Sequence, residues 1–129
     1  MNKNVLSIIL AGLWILASEF IRNEFLFKNI WINHYQTLGL NFETLPVNGV
    51  IWTMWSFLLA YLIFRLVKKF SFWETTLLIW IVAFVMMWLT IYNLQVLPAL
   101  LLIFAIPLSL LEVIVAQLII RKVNLTGQN

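Results

Sequence analysis

The chain has 129 residues, of which 64% are hydrophobic and 10% charged, and its formal net charge is +3. A soluble domain carries about 25% charged residues, and a chain this short buries too little of its surface to hide so much apolar area, so these values exclude a soluble fold. Cysteine and aspartate are absent and His34 is the only histidine, so we expect no metal, no cofactor and no enzymatic activity.

The first apolar run follows Lys3 and predicts a membrane-spanning helix over about 4–21. The connection that follows, about 22–40, is long. Its apolar residues Phe27, Ile30 and Trp31 recur at helical spacing among polar ones. This pattern predicts an amphipathic outer segment that lies in the membrane interface or caps the helices and ends near Gly39.

The remaining spans are delimited by charges and by one break. Residues 44–64 carry no charge and predict a second span over about 46–65, with Pro46 in its first turn. Residues 75–111 are also uncharged; as one helix they would extend roughly 55 Å, against a hydrocarbon core of about 30 Å. Asn93, Gln95 and Pro98 mark the necessary break. The third and fourth spans are therefore predicted over about 73–92 and 98–120, and a frayed tail over 124–129.

Lysine and arginine are distributed unequally between the two predicted sides of the membrane. Two of them, Arg22 and Lys28, fall on the side of the first connection. The other side holds the remaining six: Lys3, Arg65, Lys68, Lys69, Arg121 and Lys122. The positive-inside rule then predicts a multi-pass protein of the cell (inner) membrane with both termini in the cytoplasm.

These features together predict the fold class and the partners. We expect an all-α membrane protein, a single domain over residues 1–129, with four transmembrane helices in an up-down-up-down bundle and the amphipathic segment between the first two. Membrane lipid is the expected partner, with a second copy or another membrane protein as possible further partners. The basic residues flank apolar runs and do not cluster, so no nucleic acid is expected.

Glu112 is the foremost candidate for a functional residue. It lies about 13 Å from the inner end of the fourth predicted helix, close to the membrane midplane. An acidic side chain there is costly and is by default a functional-site hypothesis. Pro107 frees a backbone carbonyl nearby, and with Ser109 these residues form a candidate intramembrane polar site. The alternative is a purely structural role, in which a protonated Glu112, flanked by small residues, donates a hydrogen bond to a neighbouring helix and stabilises the helix packing.

A second candidate site lies at the outer end of the helices. Glu19 precedes Arg22 by one helical turn, which favours a local ion pair at the interface. The functional alternative joins both residues to Asn48, Asn93 and Gln95 as the lining of a polar outer vestibule.

Three tryptophans at greater predicted depth, Trp14, Trp55 and Trp80, are a candidate aromatic pocket. Such a pocket would suit an organic cation or an apolar ligand. Packing or lipid contact is the competing interpretation, because indoles also fill space.

Two resemblances to known families follow from short motifs. Phe27, Trp31 and the later Gly39 resemble the Trp-Tyr-Ser-Pro-x-x-Phe-Gly-Lys-x-Trp signature of small bacterial four-span proteins of unknown function, although 22–24 replace Tyr-Ser-Pro. That resemblance implies four spans with a long first connection and no particular activity. The stretch 17–19 is similar to the Ala-x-Glu of small multidrug-resistance transporters, four-span dimers with a glutamate in the first helix. The long first loop and the few glycines here depart from that pattern.

Two function hypotheses result. The first is a non-enzymatic packing or interaction protein, or an accessory subunit, because small residues line the predicted helices and catalytic side chains are scarce. The second is a small oligomeric proton-coupled transporter or ligand-binding membrane protein that uses Glu112. An enzyme acting on lipid would need His34 to meet Glu24 or Glu43 at the outer surface.

Overall fold

The protein is helical, with no strand in the part of the chain that the structure describes. The structure is a computed structural model that describes residues 1–125, with the backbone only at Leu125. The predicted frayed tail falls mostly on 126–129, outside the described residues. The helices are α1 (Lys3–Ile21), α2 (Lys28–Thr37), α3 (Pro46–Leu66), α4 (Phe72–Trp80), α5 (Met86–Asn93) and α6 (Leu102–Leu125).

Three short segments of other helical type extend these helices. A π-helical turn over Arg22–Leu26 continues α1, a second π turn over Ile81–Val85 joins α4 to α5, and a 3₁₀ turn over Ala99–Leu101 leads into α6. Four stretches are consequently long and apolar enough to cross a membrane: Lys3–Leu26, Pro46–Leu66, Phe72–Asn93 and Ala99–Asn124. Four candidate spans were predicted. The first runs five residues further than expected, so Arg22 lies inside the helix and not in the connection.

The helix ends show why the chain turns where it does. Pro46 opens α3, and the Ser71 hydroxyl and the Glu74 carboxylate form a capping box at the start of α4. The predicted break of the long uncharged stretch falls between α5 and α6, where Gln95 adopts a left-handed φ of 62°. The Nε2 atom of His34 lies 3.2 Å from the backbone carbonyl oxygen of Gln95, so α2 is held against this turn.

Most of the small residues on the predicted helices are buried between helices of this same chain. α1 packs against both α3 and α6, and α4 packs against α6. Their contact faces include Ala11 and Gly12 of α1, Ser56 and Ala60 of α3, and Ala105, Ser109 and Ala116 of α6, all buried. Small side chains let helices approach closely in lipid, where van der Waals packing drives association.

Gly12 provides a direct test of this packing. A Cβ atom at Gly12 would lie 2.6 Å from Cδ1 of Phe57 in α3, so Gly12→Val is expected to destabilise the fold by about 1–3 kcal/mol through overpacking. Gly49, where a Cβ would meet nothing within 4 Å, is the matched control, and Gly49→Val is expected to change stability by less than about 0.5 kcal/mol. Unfolding in mixed micelles measures both; equal losses would contradict the close α1–α3 contact.

Candidate intramembrane charge cluster

Three charged side chains meet between α1 and α6 inside the span region. Glu19, Arg22 and Glu112 are 4%, 7% and 2% exposed. The Nη2 atom of Arg22 forms an ion pair with Oε1 of Glu19 and also lies 3.1 Å from Oε2 of Glu112. One guanidinium thus stands between two carboxyl groups. We call these three residues the charge cluster.

The local sequence of α1 builds one half of the cluster. Glu19 and Arg22 are three residues apart, so they occupy neighbouring positions on one helix face. The Asn23 amide donates to Oε2 of Glu19 and to the Glu19 backbone carbonyl oxygen, both at 3.0 Å. Both carboxylate oxygens of Glu19 therefore have a donor, which is the arrangement a buried carboxylate needs.

Phe84 covers the guanidinium from the third span. The Cζ atom of Arg22 lies 5.3 Å from the centroid of the buried Phe84 ring, in cation–π contact. Arg22 begins the first π turn and Phe84 lies in the second, so both π turns contribute to the same place. A π turn interrupts the regular helical register, and such turns are frequent at functional sites.

Glu112 is bonded quite differently from Glu19. Its Oε2 atom stands 3.1 Å from Nη2 of Arg22, the distance of an ion pair, and its carboxyl group shares a side-chain hydrogen bond with that of Glu19. The indole of Trp14 donates to the backbone carbonyl oxygen of Glu112 at 3.1 Å, and no further side chain among the described residues donates to its carboxyl oxygens. A hydrogen bond between two carboxyl groups needs a proton on one of them, so the contact between the two glutamates ties the cluster to a proton.

A groove between α1 and α6 lies beside the cluster. It encloses about 200 Å³, and Trp14, Arg22 and Glu112 are among its lining residues. The rest of its lining is mostly apolar: Ala17, Ser18, Ile21, Leu26, Leu108 and Leu111. Ile21, Leu26 and Leu111 are more than half exposed, so the groove opens to the side of the protein. We call it the α1–α6 groove.

The other two members of the predicted intramembrane polar site have separate roles. Ser109 is buried, accepts a hydrogen bond from the Trp80 indole at 2.9 Å and donates to the backbone carbonyl oxygen of Ile106 at 3.0 Å. Pro107 lies inside α6 and is exposed. The hydroxyl is thus used to join α4 to α6, and the residues that the structure places with Glu112 come from α1.

The predicted vestibule is divided by the structure. Glu19 and Arg22 are paired, but they are buried with Glu112. Asn48 is partly exposed and contacts the backbone carbonyl oxygen of Glu43 at 3.4 Å. Asn93 and Gln95 are exposed at the turn between α5 and α6. The structure thus places Glu19 and Arg22 with Glu112 and gives them no contact with the three amides among the described residues.

The three candidate tryptophans also occupy separate places. Trp14 lines the α1–α6 groove, and Trp55 lines another apolar groove, of about 380 Å³, beside α3. Trp80 contacts Trp88 edge to face, with ring centroids 6.2 Å apart. Trp55 packs on Phe84 at 5.9 Å. These contacts make Trp55 and Trp80 parts of the packing around the charge cluster and do not join the three indoles in one pocket.

Two participants, Asn23 and Phe84, were not singled out from the sequence. Asn23 follows Arg22 directly and lies one helical turn after Glu19. This spacing indicates an amide–carboxylate contact only if the first helix continues past residue 21, and the predicted helix ends there. Phe84 lies in an unbroken apolar run, and nothing in its neighbours distinguishes it.

Comparisons of the chain with models of protein families, with curated proteins and with solved structures found no match. The two resemblances drawn from short motifs therefore remain predictions, and the geometry of the charge cluster is what the functional argument rests on.

Proposed function

We propose that this protein is a multi-pass membrane protein that binds a small ligand at the charge cluster in exchange for a proton. The single observation that carries this proposal is the pairing of two buried carboxyl groups with one guanidinium. Intramembrane ionisable residues of this kind mark substrate and proton pathways.

The net charge of the cluster explains why a ligand would exchange with a proton. Two carboxylates and one guanidinium sum to one negative charge, and an uncompensated charge in a low-dielectric interior costs several kcal/mol. Either one proton on the carboxyl pair or one bound cation balances it. Proton and cation then compete for the same site, and this competition links the binding of the ligand to pH.

The structure weakens the main support for the packing hypothesis. Most of the small residues that motivated it are buried between helices of this chain and are not available to a partner, whereas Gly49 is exposed and Ser18 is partly exposed. Native mass spectrometry in lipid tests association with a second copy or another membrane protein.

The orientation is part of the proposal. Of the basic residues outside the candidate spans, Lys28 lies in the first connection, and Lys68 and Lys69 lie between the second and third spans. Lys3, Arg65, Arg121 and Lys122 lie near span ends on the same side as Lys68 and Lys69, whereas Arg22 is buried in the charge cluster. We therefore propose alternating helices with both termini in the cytoplasm, in the cell (inner) membrane.

We propose no enzymatic activity. His34 contacts the turn before α6, and its ring is not placed with Glu24 or Glu43, the glutamates that a lipid-acting site would need.

Infrared spectroscopy tests the proton half of the proposal without knowledge of the ligand. As the pH is raised, the carbonyl stretch of a protonated carboxylic acid should lose intensity in the native protein, because the cluster gives up its proton. Glu112→Gln should remove this change, because a cluster with one carboxylate and one guanidinium is already neutral. Glu24→Gln is the matched control, since Glu24 pairs with Lys28 at 3.0 Å in a partly exposed position. A native spectrum that matches that of Glu112→Gln at every pH would refute the proposal.

A further inference from the structure

We infer that one anionic phospholipid binds to the outer surface of α3, with its phosphate at the end of this helix and one acyl chain in the apolar groove beside Trp55. The inference goes beyond the proposed function and does not involve the charge cluster. Two features carry it: three cationic side chains that have no acidic partner, and a groove that continues from them into the membrane. We call this groove, of about 380 Å³, the α3 groove.

The head group follows from the charges at the end of α3. Arg65, Lys68 and Lys69 are exposed, and in the described part of the chain none of them forms an ion pair with an acidic side chain. Arg65 donates to the Tyr61 hydroxyl at 2.8 Å, which uses one of the five N–H donors of a guanidinium. Lysine and arginine side chains next to a membrane-spanning helix attract the head groups of anionic lipids.

Glu74 is the acidic residue that follows these cations in the chain. Its carboxylate accepts from the backbone N–H of Ser71 at 2.9 Å, as part of the capping box of α4. Three cations and this one carboxylate leave two positive charges in excess at the connection between α3 and α4. This excess favours an anionic head group over a zwitterionic one, because a zwitterionic head group brings no net charge.

The place of the acyl chain follows from one face of α3. Trp55, Leu58 and Leu62 line the α3 groove, and with Arg65 they recur at intervals of three and four residues, so they lie along one face of the helix. The ten residues from Trp55 to Arg65 span about 15 Å along the helix axis. This distance is half of a hydrocarbon core of about 30 Å. An acyl chain whose phosphate lies at Arg65 therefore reaches Trp55 within its own leaflet.

The opposite wall of the groove comes from the third span. Val82, Met86 and Thr90 line it at intervals of four residues, and all three are exposed. The Thr90 hydroxyl donates to the backbone carbonyl oxygen of Met86 at 2.9 Å, so this wall offers no free donor. The volume of about 380 Å³ is more than twice the 150 Å³ or so of a cavity that admits benzene. The groove therefore suits a flexible hydrocarbon chain.

Native mass spectrometry of the full chain, released from nanodiscs of equal parts phosphatidylglycerol and phosphatidylcholine, tests this inference. One phosphatidylglycerol should remain bound per chain, at least about tenfold more abundant than phosphatidylcholine. Arg65→Gln should lower its retention about fivefold, the factor that one cation near an anionic surface contributes. Lys28→Gln is the matched control, because Lys28 lies in the first connection and pairs with Glu24 at 3.0 Å. It should leave the retention unchanged.

A second pair of variants separates the groove from the charges. Leu58→Trp fills the groove but leaves all three cations in place, so it should lower the retention of phosphatidylglycerol. Leu89→Trp is the control, since Leu89 is an exposed residue of the third span outside the groove lining. Phosphatidylglycerol brominated on its acyl chains should quench the tryptophan fluorescence more than brominated phosphatidylcholine, and Trp55→Phe should reduce this difference.

Three outcomes would overturn the inference. Equal retention of the two lipids would show that the cations do not select a head group. Retention that is the same in Leu58→Trp and Leu89→Trp would show that no acyl chain occupies the groove. A dimer without lipid in the native mass spectrum would show that a second copy covers this face. None of these measurements involves Glu112, so the proposed function stands or fails separately through its infrared titration.

Discussion

Replacing Arg22 by methionine is expected to destabilise the protein by about 3–5 kcal/mol, the usual consequence of removing one partner from a buried ion pair. The loss is large because this one side chain faces both Glu19 and Glu112. Without it, two carboxyl groups remain in the interior with no cation beside them. Unfolding in mixed micelles or by steric trapping in bicelles measures the difference.

A compensated variant shows whether the loss comes from charge or from lost volume. The triple change Arg22→Met, Glu19→Gln and Glu112→Gln removes all three charges. It should recover most of the stability, because no buried charge is then left whose desolvation costs free energy. Lys28→Met is the surface control; Lys28 pairs with Glu24 where both are partly exposed, so its loss should be about 0–1 kcal/mol. A single Arg22→Met that is as stable as Lys28→Met would show that the cluster is not buried in the membrane-embedded protein.

Substitution by methionine is expected to lower the stability of the protein at Glu19 but not at Glu112. Glu19→Met removes acceptors that serve Arg22 and Asn23 and leaves those donors buried, at a cost of about 2–4 kcal/mol. Glu112→Met leaves the Glu19–Arg22 ion pair and the Asn23 hydrogen bond in place as a neutral set, so stability should stay within about 1 kcal/mol of the native value or rise.

The same pair of variants decides between function and packing for Glu112. A residue retained for packing would be as costly to replace as Glu19. A residue retained for ligand or proton binding would leave a stable protein that has lost its titration. Equal destabilisation by Glu19→Met and Glu112→Met, measured side by side in one lipid mixture, would support the packing interpretation.

Much of the fold could be predicted from the sequence because lipid imposes simple rules. The length of each apolar run sets the number of spans, and the uncharged stretch over 75–111 had to break because no single helix of that length fits a bilayer. The break was placed correctly by its amides and by Pro98. The predicted first span ends at residue 21, five residues before the end of the helical stretch. The charges of Glu19 and Arg22 indicated the edge of the membrane in the sequence. Because the two side chains pair with each other, both can lie within the span.

The charge cluster itself could only be predicted in part. Glu112 stood out because a carboxyl group at that depth is costly. Its meeting with Arg22 depends on how α1 is rotated against α6 and on the π turn at Arg22, and neither is encoded in hydropathy. The same holds for the tryptophans: their depth could be estimated from position in a span, but whether Trp14, Trp55 and Trp80 shared a pocket depended on the direction in which each indole points.

The division of the cluster between the first and the fourth span has a consequence for biosynthesis. While the first helix is inserted, Glu19 and Arg22 can neutralise each other without any other part of the chain. The fourth helix must bring Glu112 into lipid with no cation of its own nearby, at an insertion cost of roughly 2.5–3.5 kcal/mol if its carboxyl is charged. The mean hydropathy over an 18-residue window of this span is 2.6, against 1.9, 1.6 and 2.0 for the other spans. This higher value offsets the cost, since each leucine or isoleucine at mid-helix returns about 0.3–0.6 kcal/mol. Each half of the site can thus be delivered to the membrane by its own helix, and the two halves join by lateral association afterwards.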